Sequence, residues 1–209
     1  SGRYGQLHGS VEGTKIITCH LGNGSSISAI KDGKVVDTSM GFTPLDGFIM
    51  GTRSGGIDPS VVTYIMNKEG LTPDQMSDLM NKKSGFLGLS GVSSDCRDLW
   101  AAAKEGNERA KLTLEIVSYQ IKKFIGSYAA AMGGVDAVVF TAGVGKNNSG
   151  LRKKIMEGME YLGFEIDDAQ NENGSGAFAM TKPSSRVCGL VIPTNEELMI
   201  ARDTAELCS

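Results

Sequence analysis

Proline is scarce, with five residues in 209, and tryptophan occurs once. Cysteine is equally thin. Cys19, Cys96, Cys188 and Cys208 are scattered, form no C-x-x-C pair and have no metal-ligand spacing, which excludes a zinc ribbon and fits free thiols in a reducing compartment. No block of Lys and Arg occurs, and the net charge of -3 leaves no basic face of the kind a dedicated nucleic-acid binder carries. No apolar run is long enough to cross a membrane, and the start, "SGRYGQLHGS", lacks the charged-then-apolar pattern of a signal peptide. The expectation is therefore a cytoplasmic globular protein, with residues 1–14 read as linker or appended residues. Glycine, by contrast, is abundant at 28 residues without being low-complexity, so glycines are expected at specific turns and close approaches.

The order of elements is legible from periodicity. "KIITC" is a short β-branched run, and "SISAIKDGKVVDTS" is two alternating runs joined by Asp32-Gly33, a strong hairpin signal. With the "GNG" turn at 22–24 they predict a three-stranded antiparallel meander. Helices follow. Asp58-Pro59 and Thr72-Pro73 are N-terminal signals, with Gly70 and Gly85 as the matching stops. A further helix is expected over 95–104, and a long amphipathic one over 108–132 with Leu112, Ile116, Tyr119, Phe124 and Tyr128 on its buried face. The pattern then alternates: "VDAVVF" as a buried strand, a helix over 149–163, "RVCGLVI" as a second buried strand and a terminal helix from 194. This order predicts a mixed α/β sheet flanked by helices.

In such sheets ligands gather at strand ends, and four loops there are candidates. "HLGNGSS" (20–26) offers glycines, an asparagine and hydroxyls suited to wrapping a phosphate, or a plain Asn-Gly hairpin. "GFIMGTRSGGIDP" sets one arginine, Arg53, among glycines; this is either an anion site or a flexible surface loop. "FTAGVGKNNSG" (140–150) resembles a Walker loop but fails its pattern, since Phe140 stands where the first glycine belongs and Asn147 where the hydroxyl belongs. "PTNEEL" places Glu196 and Glu197 in the first turn of the last helix, where they cap it or hold Mg²⁺. "SSDCRDL" is ambiguous, Asp95 serving as a helix cap and Arg97 as a surface charge in the simplest reading.

Taken together, "HLGNGSS", "DTSMGFTPLDGFIMGTRSGGIDP", "SGVSSDCRDL", "FTAGVGKN" and "PTNEELMIARDT" resemble successive signatures of the acetate kinase family, in that family's order. The resemblance implies a ribonuclease-H-like mixed sheet with flanking helices, the domain type of the acetate kinase, sugar kinase and actin superfamily. It implies that residues 15–209 correspond to the C-terminal, nucleotide-binding half, the N-terminal domain being absent. His20, Asn23 and Gly24 would lie in a phosphate-binding turn, with Arg53 and His20 at the acyl phosphate being made or broken. Asp95, Cys96 and Arg97 would border the adenosine; Gly143, Val144 and Asn147 would form the adenine and ribose loop; Glu196 would be the carboxylate associated with Mg²⁺. The implied reaction is reversible transfer of a phosphoryl group from ATP to acetate, giving ADP and acetyl phosphate, in a homodimer formed through this half. Gly56 and Lys146 stand where the family usually has carboxylates.

Two other readings come from the same residues. One is a catalytically inactive folding or dimerisation domain that at most binds nucleotide, since the chain alone would be inactive or weakly active without its partner half. The other, a nuclease of ribonuclease-H-like fold, needs an acidic residue on the first strand for two-metal chemistry, and "KIITCH" has none.

Overall fold

A computed structural model describes residues 4–6 and 9–208, apart from the side chains at positions 196, 198, 199, 202 and 203. β1 (Lys15–Leu21), β2 (Ser25–Lys31) and β3 (Lys34–Thr38) form the expected meander, β1 pairing with β2 and β2 with β3 antiparallel. The hairpin between β2 and β3 turns on Asp32 at φ 52° and Gly33 at φ 76°, the two positive angles that a type I′ turn requires. β3 is a fully exposed edge strand.

The helices follow their capping signals. α1 (Pro59–Glu69) starts at Asp58, whose carboxylate accepts from Ser60 N at 2.8 Å, and stops at Gly70 in the left-handed region. α2 (Pro73–Lys82) carries a reciprocal capping box between Thr72 and Gln75. Gly85 does not end this helix. It stands at φ 60° as the first residue of a separate short helix, α3 (Gly85–Ser90), three residues beyond the end of α2. α4 (Cys96–Lys104) is capped by Asp95, and α5 (Glu108–Met132) by Asn107 at one end and Gly133, φ 72°, at the other.

The buried face of α5 agrees with the expected stripe only in part. Ala110, Leu114, Val117, Ile121, Ile125, Tyr128 and Met132 are buried, whereas Leu112 and Tyr119 are 56% and 64% exposed. Ile116 and Phe124 pack against the same core as Tyr128, so three of the five expected residues face inward, and the covered stripe is centred instead on Leu114, Val117, Ile121 and Ile125.

β4 (Ala137–Thr141) and β6 (Cys188–Val191) are the two buried strands, and β5 (Phe178–Ala179) is a short edge strand beside β6. The helix expected over 149–163 is cut short. α7 (Ser149–Met156) ends where Glu157 turns extended and Gly158 takes φ 77°, and only a single 3₁₀ turn, Glu160–Leu162, follows. Two further helices were not anticipated: α6 (Ala142–Asn147), immediately after β4, and α8 (Asp168–Asn173), capped by Asp167. α9 (Glu196–Cys208) closes the described chain.

The six strands form one sheet in the order β3-β2-β1-β4-β6-β5. β1, β4 and β6 are mutually parallel, with His20 opposite Thr141 and Phe140 opposite Val191. Alternate residues feed two cores. Ile17, Cys19, Leu21, Val138 and Phe140 join the larger one with α5, and Ile16, Ala137, Val139 and Leu190 join the smaller one on the other face. Tyr4 and Val11, within the stretch read as linker, pack into that smaller core; residues 1–3, 7 and 8 of the same stretch lie outside the described residues. Among the described residues no helix is long and apolar enough to cross a membrane, and all four cysteines are free thiols.

Candidate functional site

Because β1, β4 and β6 run parallel, their carboxyl ends bring three chain exits to one edge of the sheet: the turn at 22–25, α6 and the segment 192–195. The turn is closed by the Ser25 hydroxyl, which accepts from Gly22 N at 3.1 Å and donates to Gly22 O at 3.0 Å. Asn23 projects from it against the Arg53 loop. A Cβ on Gly51 would lie 2.5 Å from Asn23 Oδ1 and 3.1 Å from Ser94 O, so glycine at 51 allows three segments to meet.

The loop carrying Arg53 is tied down, not flexible. Met50 N donates to Arg53 O at 3.1 Å, Phe86 N to Met50 O at 2.8 Å, Leu87 N to Gly51 O at 3.0 Å, and Ser54 N to Met80 O at 2.9 Å. The start of α3 is thus what fixes it. The Arg53 guanidinium rests on the backbone of Gly24, where a Cβ would lie 3.1 Å from Nη1. Its partners are neutral, Pro44 O at 3.3 Å and Met50 Sδ at 3.8 Å, and among the described residues no carboxylate pairs with it. A fixed, uncompensated cation therefore lies beside a glycine turn, an arrangement that favours an anion.

α4 forms the opposite wall. The Asp95 carboxylate accepts from Arg97 N at 2.8 Å and pairs with the Arg97 guanidinium at 2.5 Å. These contacts, the side-chain bond above all, hold the Asp95 carboxyl at about 2. Arg97 itself is 88% exposed along its side chain and lies at the mouth. Cys96 is buried behind, accepting from Asn148 Nδ2 at 3.4 Å, and burial pushes its thiol up to about 11, so it is an inert neutral wall near pH 7.

α6 is entered through Ala142 at φ 63°, one of two non-glycine residues at positive φ among those described. The Ala142 N–H is held by the Thr194 hydroxyl at 3.1 Å, and that hydroxyl also meets Thr141 Oγ1 at 2.9 Å. Strain of this kind persists where the surroundings over-determine it. Gly143 then faces open space, with nothing within 4 Å of a Cβ built on it.

Between these walls lies a cleft of about 550 Å³, within the range of small-molecule sites. It is lined by Gly22, Asn23, Phe86, Ser94, Asp95, Cys96, Arg97, Gly143, Val144, Asn147 and Asn148. Of the residues singled out in the sequence, Asn23, Asp95, Cys96, Arg97, Gly143, Val144 and Asn147 meet there, while Gly24 and Arg53 adjoin it at the turn. His20, near the end of β1, is half-buried, and does not line the cleft. Glu196 is the first residue of α9, two positions after Thr194, and its side chain lies outside the described residues. Phe86 and Asn148 were not anticipated. Phe86 follows the glycine taken for a helix stop, and Asn148, which caps α7 through Leu151 N, carries only the ordinary signal of a turn residue.

The sheet order, and a crevice at the carboxyl ends of its parallel strands, define a mixed α/β domain flanked by helices that carries its candidate site at the strand ends. Residues 5–202 match the model of the Acetokinase family. The chain belongs to that family. It is 59% identical over 193 residues to the acetate kinase of Treponema denticola, covering 92% of this chain and 49% of that protein. The crystal structure of Porphyromonas gingivalis acetate kinase superposes with a TM-score of 0.96 at 50% identity, covering 100% of this chain and 53% of that one. A propionate kinase from Francisella tularensis gives a TM-score of 0.89 at 43% identity, covering 96% of this chain and 51% of that one. The chain thus spans about half the length of the relatives it matches.

Proposed function

We propose that residues 15–209 are the nucleotide-binding half of a cytoplasmic enzyme that transfers a phosphoryl group reversibly between ATP and acetate. The observation that carries this reading is the cleft itself, in which three separate sequence signatures converge beside a fourth that carries an arginine without a counter-charge. In this reading Gly143, Val144 and Asn147 receive the base and ribose, and Asp95, Cys96 and Arg97 border the adenosine. The turn at Asn23 and Gly24 presents the phosphates to Arg53.

Direct in-line transfer needs little covalent help and much neutralisation of charge on the moving phosphoryl group. Arg53 supplies a planar cation from a braced loop, oriented toward the turn before substrate arrives. For His20, which lies near the end of β1 outside the cleft lining, a donor role to the same oxygens rests on the family resemblance alone. Among the described residues no group of three His, Cys, Asp or Glu converges, so a cage made of protein alone is not the expected form of metal binding. Mg²⁺ suits a site with one carboxylate, hydroxyls and substrate phosphates, and Glu196 with the nearby Thr194 fits that donor set. When bound, the ion neutralises phosphate charge.

The test is calorimetric titration of the folded chain with ADP in the presence of Mg²⁺, followed by the hydroxamate assay for acetyl phosphate on the chain alone and mixed with a separately made N-terminal half. Binding, with turnover only in the mixture, is the expected result; a folded chain that binds no nucleotide overturns the reading. Running the assay with propionate beside acetate decides the acyl preference. The other reading, a dimerisation domain, draws support from Leu112 and Tyr119, large side chains that stand exposed along α5. Sedimentation that stays at monomer mass from dilute to concentrated protein removes it.

A further inference from the structure

Arg152, on α7, looks in the sequence like one of three consecutive basic residues on a helix surface. It is instead 2% exposed. Its guanidinium is spread between two elements. Nη1 donates to Gly145 O at 2.9 Å and Lys146 O at 2.6 Å in α6, while Nε donates to Asn171 Oδ1 at 2.9 Å and Nη2 to Asn171 O at 2.6 Å in α8. Asn171, also buried, passes the connection on through Nδ2 to Ser149 O at 3.0 Å. The Phe178 ring covers the guanidinium, 5.8 Å from Cζ to ring centroid. Among the described residues no carboxylate pairs with Arg152. Burial draws its pKa down to about 10, which leaves it charged near neutrality.

Taking a charge out of water is costly, so a buried cation with no counter-charge calls for a reason. The carbonyls it holds supply one. Gly145 and Lys146 lie between Val144 and Asn147, both of which line the cleft, and they belong to the last turn of α6, where carbonyls lack partners and attract a cation. A planar five-donor fork spans two such acceptors and Asn171 at once; an ammonium is a single point.

We infer that Arg152 is a positioning residue that holds the α6 wall of the cleft at the spacing a nucleotide requires, by bracing Gly145 and Lys146 against Asn171. This rests on the nucleotide reading above. The brace keeps a short helix of six residues, entered through a strained Ala142, from relaxing outward when the cleft is empty.

The experiment measures ADP affinity in the presence of Mg²⁺, together with melting temperature and the emission of Trp100, for the chain and for Arg152→Met, Arg152→Lys, Asn171→Ala and the Arg152→Met/Asn171→Ala pair. Trp100 is the single tryptophan and packs on the first turn of α7, 3.2 Å from a Cβ built on Gly150, so it reports on this wall. Arg152→Met is expected to remain folded, to weaken ADP binding at least tenfold and to shift the Trp100 emission. Arg152→Lys is expected to fail to restore affinity, because a point charge cannot span both elements. Asn171→Ala should weaken binding by a smaller factor, and the pair should bind no worse than Arg152→Met alone. Folded Arg152→Met binding ADP within twofold of the parent chain overturns the inference, as does full rescue by lysine or an additive loss in the pair. If Arg152→Met does not fold, Asn171→Ala decides by the same twofold criterion. If the parent chain itself binds no ADP, it is the nucleotide reading that fails.

Discussion

Gly85→Ala is the sharpest test of how the Arg53 loop is held. Gly85 sits at φ 60°, and a Cβ there would lie 2.1 Å from Met50 O, 2.7 Å from Arg53 O and 3.0 Å from Arg53 N. All three are backbone atoms, so no side-chain rotation relieves the overlap. The left-handed conformation costs alanine about 1 kcal/mol. Forcing the loop away from α3 adds about 1–3 kcal/mol of packing strain. Lengthening the Phe86 N to Met50 O bond removes about another 1 kcal/mol. The total is about 3–5 kcal/mol, which lowers the melting temperature by roughly 6–20 °C in a chain of this size. Gly70→Ala is the matched control: φ is 64°, but nothing lies within 4 Å of the new methyl group, so only the conformational penalty of about 1 kcal/mol applies. Thermal unfolding followed by circular dichroism measures both. Equal losses in the two variants, or a fall of less than about 4 °C for Gly85→Ala, would refute the claim that close backbone approach pins the loop.

Gly143→Trp points its side chain into open space, so it is expected to leave the melting temperature unchanged and to abolish ADP binding by filling the cleft, read by calorimetry. Asp95, held at about 2 by Arg97, ionises more readily folded than unfolded; its stabilising contribution is complete above about pH 4 and lost as pH falls through about 2. A carbon-detected NMR titration of that carboxyl should show a midpoint near 2, and a midpoint near 4 would mean the pair does not persist in solution. Thiol titration with a disulfide reagent near pH 8 should modify exposed Cys208 rapidly and buried Cys19 and Cys96 only as the protein unfolds, since burial raises both of the latter thiols. Rapid reaction of more than two equivalents would contradict that burial.

The parts of the fold legible in the sequence are those with local causes. Asp32-Gly33, Asp58-Pro59, Thr72-Pro73 and Gly70 act through their own neighbours, and their elements fall where those residues place them. Gly85 shows the limit. Glycine there answers to the carbonyl of Met50, 35 positions earlier, and nothing local separates that demand from a helix stop. Leu112 and Tyr119 stand exposed on α5 for a related reason, because how far round the helix the covered stripe reaches depends on where the sheet and neighbouring helices lie. The cleft residues were readable as motifs, and their convergence required strand order. Arg152 gave no signal, because its partners are mostly main-chain carbonyls.

The parallel pairing of β1 with β4 has a kinetic consequence. Lys15 N donates to Asp136 across 121 positions of chain, so the central contact of the sheet closes a very large loop, whereas the meander of β1, β2 and β3 forms from neighbours. Loop closure of that length is slow relative to hairpin formation. The glycine turn at 22–25 is therefore closed by near neighbours in the chain, whereas the wall carried by α6 arrives only with β4. During synthesis the same order holds, since β4 leaves the ribosome more than a hundred residues after β1. If the proposed nucleotide site is right, a pulse of ADP during refolding should register only the chains in which β1 and β4 have paired.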